Sequence, residues 1–354
     1  MSGVVQSDAT IRVLDPADAG TVYGRGYFGT LEGGGRLSLD RFESVYLTEM
    51  HRIDVAEVDG SSIDWPELFR RANRVEPGFG IRYLVYRDLR QRGYVVRASA
   101  PPVAFSVLPR GGILHKTPSR FWVEPYSERV PFDLARLFEL AERAQSAKKT
   151  LLLALVDEES DLTYYRVKRP MPTGALPPKR LAHPVVGWLS EDRLVVFDPI
   201  GVEELGKGVA YGSRVGDRLE LSLIEAAYLV ETHQVELKDA RTRRAISLAG
   251  LVRRARRIDP LFFERLTAYR ALRERHLVVK TGFKYGAHFR AYPRAPEHAH
   301  ARYLVQAVPD SHVAAWPEIA GGVRVAQGVR KEFLVASVSA SAVVRYLSLE
   351  RIRP

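Results

Sequence analysis

In the second half of the chain, apolar residues recur at helical spacing in LSLIEAAYLVE (residues 221–231), and a further helix is predicted over 246–255. Pro260 opens a third near its first turn, with Phe262, Leu266, Tyr269 and Leu272 on one face and an end near His276. The pattern then changes. LVVK, FRAY, RYLVQAV and EFLVASV, at 277–280, 289–292, 302–308 and 332–338, are short apolar or alternating runs of the kind that make strands. Between the last two, residues 314–327 leave room for one helix carrying Trp316, Ile319 and Val323. This half therefore reads as a mainly helical N-terminal piece followed by a mixed α/β C-terminal piece.

The first half carries the same pattern. RLSLDRFESVYLTEMHRIDV (36–55) aligns without gaps to RLELSLIEAAYLVETHQVEL (218–237), so that Tyr46 corresponds to Tyr228 (228 − 46 = 182). VEPGFGIRYLVYRDLRQRGYVVR (75–97) matches IDPLFFERLTAYRALRERHLVVK (258–280) at an offset of 183, and KKTLLLALV (148–156) matches RKEFLVASV (330–338) at 182. A near-constant offset in three separated blocks identifies a tandem duplication of α/β (α+β) units. The proline-rich seam MPTGALPPKRLA (171–182) reads as an extended linker. The expected organisation is a helical N-terminal subdomain at 1–78, a mixed-sheet subdomain at 79–170, the linker at 171–182, and the same two subdomains again at 183–261 and 262–354.

Composition narrows the function class. A chain of 354 residues, 46% hydrophobic and 27% charged, is globular and exceeds one ordinary core. The formal charge of +11 favours a polyanionic partner. The absence of cysteine excludes disulfides, thiolate metal sites and a cysteine nucleophile. No apolar run approaches the roughly 20 residues of a membrane span, and the N-terminus MSGVVQSDAT lacks a secretory pattern, so a cytoplasmic protein is expected.

The two halves differ most where polar groups cluster. KTGFKYGAHFRAYPRAPEHAHARYLV (280–305) keeps the frame of RASAPPVAFSVLPRGGILHKTPSRFWV (97–123) but adds a tyrosine and histidines. Taken alone, Tyr292 suits a strand-edge ring, Lys331 a strand-start lysine facing water. His298 and His300 form an H-x-H without evident carboxylates, so no zinc site or other cofactor is expected. KYG at 284–286 is not a nucleotide loop, and no G-x-x-x-x-G-K-[ST] occurs. RRARR (253–257), at the end of a predicted helix, suits either phosphate contact or a solvated face. DEESDLTYYRV (157–167) places four acids at a loop tip that its counterpart SASAVVRYLSL lacks; a solvated turn would account for it.

The pattern Y-R-x-L-R, K-T-G-F-K-Y-G-x-x-F-R-x-Y, H-A-x-Y-L-V and V-R-K resembles the catalytic core of archaeal tRNA-splicing endonucleases, in their two-repeat homodimeric form. The resemblance spans repeat two and, more loosely, repeat one. It implies metal-independent excision of introns from precursor tRNA at a bulge-helix-bulge, leaving 2′,3′-cyclic phosphate and 5′-hydroxyl ends. Tyr292 would be the base, His300 the acid and Lys331 the cation facing the transition state. Cleavage by a 2′-hydroxyl needs those three roles. A phenol ionises near pH ~10, so the first role requires cations beside it. His298 rivals His300, which is preferred because it begins H-A-x-Y-L-V. Repeat one retains Lys149 opposite Lys331, but Leu108 and Pro118 stand opposite Tyr292 and His300, and His115 is out of frame. The resemblance further implies that Arg324 stacks on a bulge base, with Arg345 as its counterpart, and that Asp157, Glu158, Glu159 and Asp161 enter a basic pocket on the partner subunit. Two rivals stand beside this reading. One is a noncatalytic RNA-binding or structural subunit, against which the complete triad argues. The other is a metal-dependent DNA nuclease, which would need clustered acids that repeat two does not offer.

Overall fold

The N-terminal part of each repeat is built on a sheet of very short strands. In repeat one the order is Thr30–Leu31, Leu37–Leu39, Ile11–Val13, Ser2–Val5, Asp54–Ala56 and Ser62–Ile63. In repeat two it is Ser213–Val215, Arg218–Ser222, Arg193–Val196, Val185–Ser190 and Val235–Asp239, with a single bridge between Lys238 and Ala245 where the sixth strand would stand. Runs such as IRV and LSL bury alternate residues, but they are too short to register as a period against the helices beside them. The subdomain expected to be mainly helical is therefore a sheet with helices packed on it.

The expected helices are present. Asp40 and Ser222 cap Arg41–Glu49 and Leu223–Glu231, each completing a reciprocal capping box with the glutamate at the third position, Glu43 or Glu225. The helix begun near Pro260 is Phe262–Glu274, and its twin is Phe79–Gln91. Each leads into a five-stranded sheet with a parallel pair at its centre. The orders are Val96–Ala98, Phe105–Val107, Phe121–Ser127, Thr150–Val156, Leu162–Lys168 and, in repeat two, Val278–Thr281, Phe289–Tyr292, Tyr303–Pro309, Glu332–Val338, Val344–Ile352. Trp316–Gly328 is the crossover helix of that second parallel pair.

The structure is a computed structural model that describes every residue except Lys179 and residues 208–210, which include one position of the linker and three of the 183–261 subdomain. It divides into two units. One comprises Met1–Val130, Leu140–Val167 and Ile352–Pro354; the other comprises Pro131–Glu139 and Lys168–Arg351. Within the second unit, Phe132–Asp133 pairs with Val313–Ala314, and Phe132 meets Trp316 edge to face. Among the described residues no helix is long and apolar enough to cross a membrane.

In both repeats one buried carboxylate ties the two subdomains together. Glu43, 1% exposed, accepts from the Gly29 N–H (3.0 Å), the Asp40 N–H (3.0 Å) and Arg97 Nη1 (2.8 Å), while Arg97 also donates to the Gly29 carbonyl (2.9 Å). At the matching positions Glu225 accepts from the Gly212 N–H (2.8 Å) and from Ser222, and Lys280 donates to the Gly212 carbonyl. Burial holds the Lys280 ammonium below its ordinary pKa, against the pull of Glu225. Gly212 has positive φ (56°), and a Cβ there would stand 2.3 Å from the Glu220 carbonyl oxygen, so only glycine fits. A second duplicated contact lies alongside: Arg90 sits 3.6 Å over Phe28, and Arg273 sits 4.4 Å over Tyr211.

Removing one member of such a set leaves the other charge buried and unpaired, at a cost of about 3–5 kcal/mol. Glu225→Ala should therefore speed amide exchange across Leu223–Glu231 and Val278–Thr281, whereas Glu225→Gln, which still accepts from Gly212, should cost less. Equal protection in wild type and Glu225→Ala would show that the carboxylate does not hold the subdomains.

Candidate active site

Three adjacent strands of the second sheet end at the same place, and Arg302 joins them. Its N–H donates to the Ala291 carbonyl (3.0 Å), and its own carbonyl accepts from the Glu332 N–H (2.9 Å). Tyr292 follows Ala291, Lys331 precedes Glu332, and His300 stands two residues before Arg302. The backbone thus brings the three expected residues to one sheet end from three segments. Tyr292 is 8% exposed and packs with Val278 and Ala301, whereas His300 and His298 are both exposed. Between them the chain turns at Ala295–His298 before rejoining the sheet.

Cations surround this end. The Lys331 ammonium donates to the Val329 carbonyl (3.2 Å) and lies 5.6 Å from the centre of the Tyr285 ring. Arg290 lies 6.0 Å from the same ring and 5.8 Å from that of Tyr292, with its Nε fixed on the Thr281 carbonyl (2.9 Å). Tyr285 and Arg290 were not singled out in the sequence. Both stand inside the K-T-G-F-K-Y-G-x-x-F-R-x-Y run, which was the available signal. Arg324 is exposed on the helix Trp316–Gly328 and has no side-chain partner among the described residues. Arg345 is opposite Ser337 and lies 4.5 Å over Phe138, so its plane is already engaged. In repeat one the lysine is diverted: Lys149 donates to the Ser119 carbonyl at 2.6 Å. Leu108 is buried and His115 is exposed on a left-handed turn. Among the described residues no three histidines or carboxylates converge to hold a metal ion.

The linker is docked on this site rather than free. Gly174 and Leu176 donate their N–H groups to the Arg275 (2.9 Å) and His276 (3.0 Å) carbonyls, and Ala175 donates to Pro293 (2.8 Å). Leu176 packs against the cluster of Val278, Tyr292 and Ala301. A Cβ on Gly174 would lie 2.2 Å from the His276 carbonyl oxygen, so the close approach requires glycine.

The acidic tip 157–161 is a tight hairpin turn. Asp157 Oδ1 accepts from the Glu159 (3.0 Å) and Asp161 (2.8 Å) N–H groups, and Ser160 takes positive φ. Repeat two builds the same turn without acids, Ser339 Oγ accepting from the Val343 N–H (3.0 Å) and Ala342 taking positive φ. Asp157 is thus a turn-builder and Glu158 pairs with Arg129 (3.1 Å), while Glu159 and Asp161 project exposed. In the second unit a cavity of about 220 Å³ is lined by Arg265, Lys280 and His288 together with Asp192, Glu225 and Asp259. His288 accepts from the Ala307 N–H (3.0 Å), and burial beside Arg265 pushes its pKa down to about 4.

Comparison with known proteins matches the sequence to a family. The model described as tRNA intron endonuclease, catalytic C-terminal domain, matches residues 79–164 and 262–346; the N-terminal domain of the same family matches 1–69 and 185–252. The chain is 36% identical over 347 residues to the tRNA-splicing endonuclease of Methanosarcina acetivorans, covering 97% of each chain. It is 33% identical over 349 residues to that of Halobacterium salinarum (93% of each) and 33% identical over 365 to that of Natronomonas pharaonis (98% of each).

The seat of the linker is testable without any substrate. Gly174→Ala should lift the strip off, raising amide exchange at Ala175 and Leu176 and the solvent exposure of Tyr292, while Val185–Ser190 stays protected. Unchanged exchange at those two amides would mean that the close approach is not needed.

Proposed function

The chain belongs to the tRNA intron endonuclease family, and we propose that it excises introns from precursor tRNA by cutting folded RNA at bulge-helix-bulge elements. The observation that carries this reading is the double backbone hydrogen bonding of Arg302, which brings the segments carrying Tyr292, His300 and Lys331 to one sheet end. The 2′-oxygen attacks phosphorus in line and the bond to the 5′-oxygen breaks, leaving a 2′,3′-cyclic phosphate and a 5′-hydroxyl. Tyr292 takes the proton from the 2′-hydroxyl, with the Arg290 guanidinium 5.8 Å from the centre of its ring. His300 delivers a proton to the departing 5′-oxygen. Lys331 faces the charge that gathers on the phosphoryl oxygens, where a fixed cation lowers the barrier most. None of these steps calls on a metal. Arg324, exposed and without a side-chain partner among the described residues, stacks on a bulge base, and Arg345 would have to leave Phe138 to do the same. A noncatalytic subunit remains the alternative.

Incubation of the purified protein with a bulge-helix-bulge RNA tests the reading through the termini of the products. Tyr292→Phe, His300→Ala and Lys331→Ala should each slow cleavage by about 10²–10⁴-fold while leaving RNA binding nearly unchanged. No cleavage by the wild type would favour the noncatalytic subunit, and loss on His298→Ala with retention on His300→Ala would transfer the acid role.

The same reading includes a homodimer. Because repeat two makes the hairpin turn without acids, the exposed Glu159 and Asp161, together with Glu158 in its exposed pair with Arg129, are not required by the turn. On the lining of the cavity beside His288, Lys280 and Arg265, the latter paired with Asp259 (2.5 Å), carry the complementary sign. A two-fold dimer would use the contact twice. Changing Glu158, Glu159 and Asp161 to lysine, with the turn-building Asp157 kept, should yield folded monomers that cleave poorly. Sedimentation of this triple variant as an active dimer would make the tip a solvated turn.

A further inference from the structure

The basic run RRARR lies on the helix Leu248–Ile258, which buries Leu251 and Ala255 and exposes Arg253, Arg256 and Arg257. Its twin in repeat one, Trp65–Val75, is also rich in arginine, but each of its arginines has a carboxylate partner. Glu67 pairs with Arg70 (3.0 Å), Arg71 (3.0 Å) and Arg74 (3.4 Å), and Glu57 pairs with Arg71 (2.6 Å). In repeat two Gly250 stands where Glu67 does, and Arg256 stands where Asn73 does. Only the pair matching Arg71 with Glu57 persists, as Arg254 with Asp239 at 3.7 Å. The turn beside the helix diverges in the same direction. Repeat one has Asp59 at its tip; repeat two has Arg241, Arg243 and Arg244, all exposed, on a turn held by Asp239. Six guanidinium groups, at 241, 243, 244, 253, 256 and 257, therefore have no carboxylate partner among the described residues. Arg256 and Arg257 follow Arg253 by three and four positions, which sets them in one row on the helix. The last helical turn offers only a weak compensating dipole for the final two, and like charges held this close oppose folding.

We propose that this row and the adjoining turn form a second RNA-binding surface, which holds phosphates of the substrate away from the cut. The proposal rests on the reading that the substrate is RNA. The distance follows from the fold. The helix Phe262–Glu274 begins four residues after Ile258, and its far end leads into Val278, which pairs with Tyr292. Thirteen residues at 1.5 Å each separate the two regions by about 20 Å. The roughly 3.4 Å per nucleotide of a B-DNA strand would span this in about six nucleotides, and the more compact A-form of an RNA helix takes no fewer, so the surface meets phosphates at least about six nucleotides from the scissile one. A row of exposed guanidinium groups without carboxylate partners neutralises phosphates wherever the backbone passes, so the surface adds affinity irrespective of sequence.

The test compares two RNAs, one a whole precursor and one a bulge-helix-bulge whose arms end within about five nucleotides of each cut. Equilibrium binding is measured against salt, with cleavage recorded separately. Changing Arg253, Arg256 and Arg257 together to alanine should flatten the slope of log affinity against log salt by about 2 to 3 on the whole precursor, at ~0.7–0.9 for each phosphate no longer neutralised. It should raise KM there about tenfold or more with kcat unchanged, and leave binding and cleavage of the short RNA as in wild type. The alanine triple at 241, 243 and 244 should act in the same direction. An unchanged salt slope on the precursor would overturn the proposal, as would equal losses on both RNAs or a shift in oligomeric state. Failure of the wild type to cut either RNA would count against the catalytic reading alone, because the binding comparison does not require cleavage.

Discussion

A glutamate that caps a helix usually finishes its task there. In each repeat of this chain it also takes the N–H of a left-handed glycine and faces the cation that opens the nuclease sheet. The helix start, the turn and the sheet edge thus share one buried charge, and the sheet edge cannot shift without exposing it. Lys280 lies two strands from the end where Tyr292, Arg302 and Lys331 meet, through registers fixed by Lys280 opposite Arg290 and Arg290 opposite Leu304. Catalytic geometry accurate to fractions of an ångström demands this kind of rigid support. Arg97 fulfils the role with a fork of hydrogen bonds where Lys280 uses a point charge.

The duplication separates scaffold from chemistry within one molecule. Both copies keep the carboxylate, the glycine, the stacked arginine and the strand order. What differs is confined to surfaces and sheet ends. Lys149 is tied to a carbonyl where Lys331 stands beside Tyr285, Asp157 is replaced by Ser339 in an equivalent turn, and the Glu67 network has no counterpart. Each copy is thereby a control for the other: a feature needed for folding appears twice, and a feature that appears once requires another explanation.

Much of this was legible in the sequence. The offset near 182 gave the duplication because it persists through three blocks, and the nuclease strands and the crossover helix stood out because their apolar runs are long. The N-terminal sheets were not legible, since strands of two to six residues carry too few alternations to register as a period. Of the expected residues, Tyr292, His300 and Lys331 lie on segments that meet at one sheet end, but the cationic and aromatic neighbours there were hidden. Tyr285 and Arg290 act through space, and nothing in their spacing announces that a ring will lie between two cations. Likewise DEESD gave four acids, and only the hydrogen bonds distinguish the one that builds the turn from those that project.

The seam shows the same limit most clearly. Prolines and a glycine between two repeats suggest a tether belonging to neither, yet its backbone is bonded to Arg275, His276 and Pro293, and Leu176 lies against Tyr292. Structurally it is the first element of the second half. The boundary of the duplication in the gene and the boundary of the folded unit therefore fall in different places. Were the two halves encoded on separate genes, a break after residue 182 would strand the lining of Tyr292 on the wrong polypeptide. A break ahead of residue 171 would keep the linker with its seat, but Pro131–Glu139, which belongs to the same folded unit, would still be left behind.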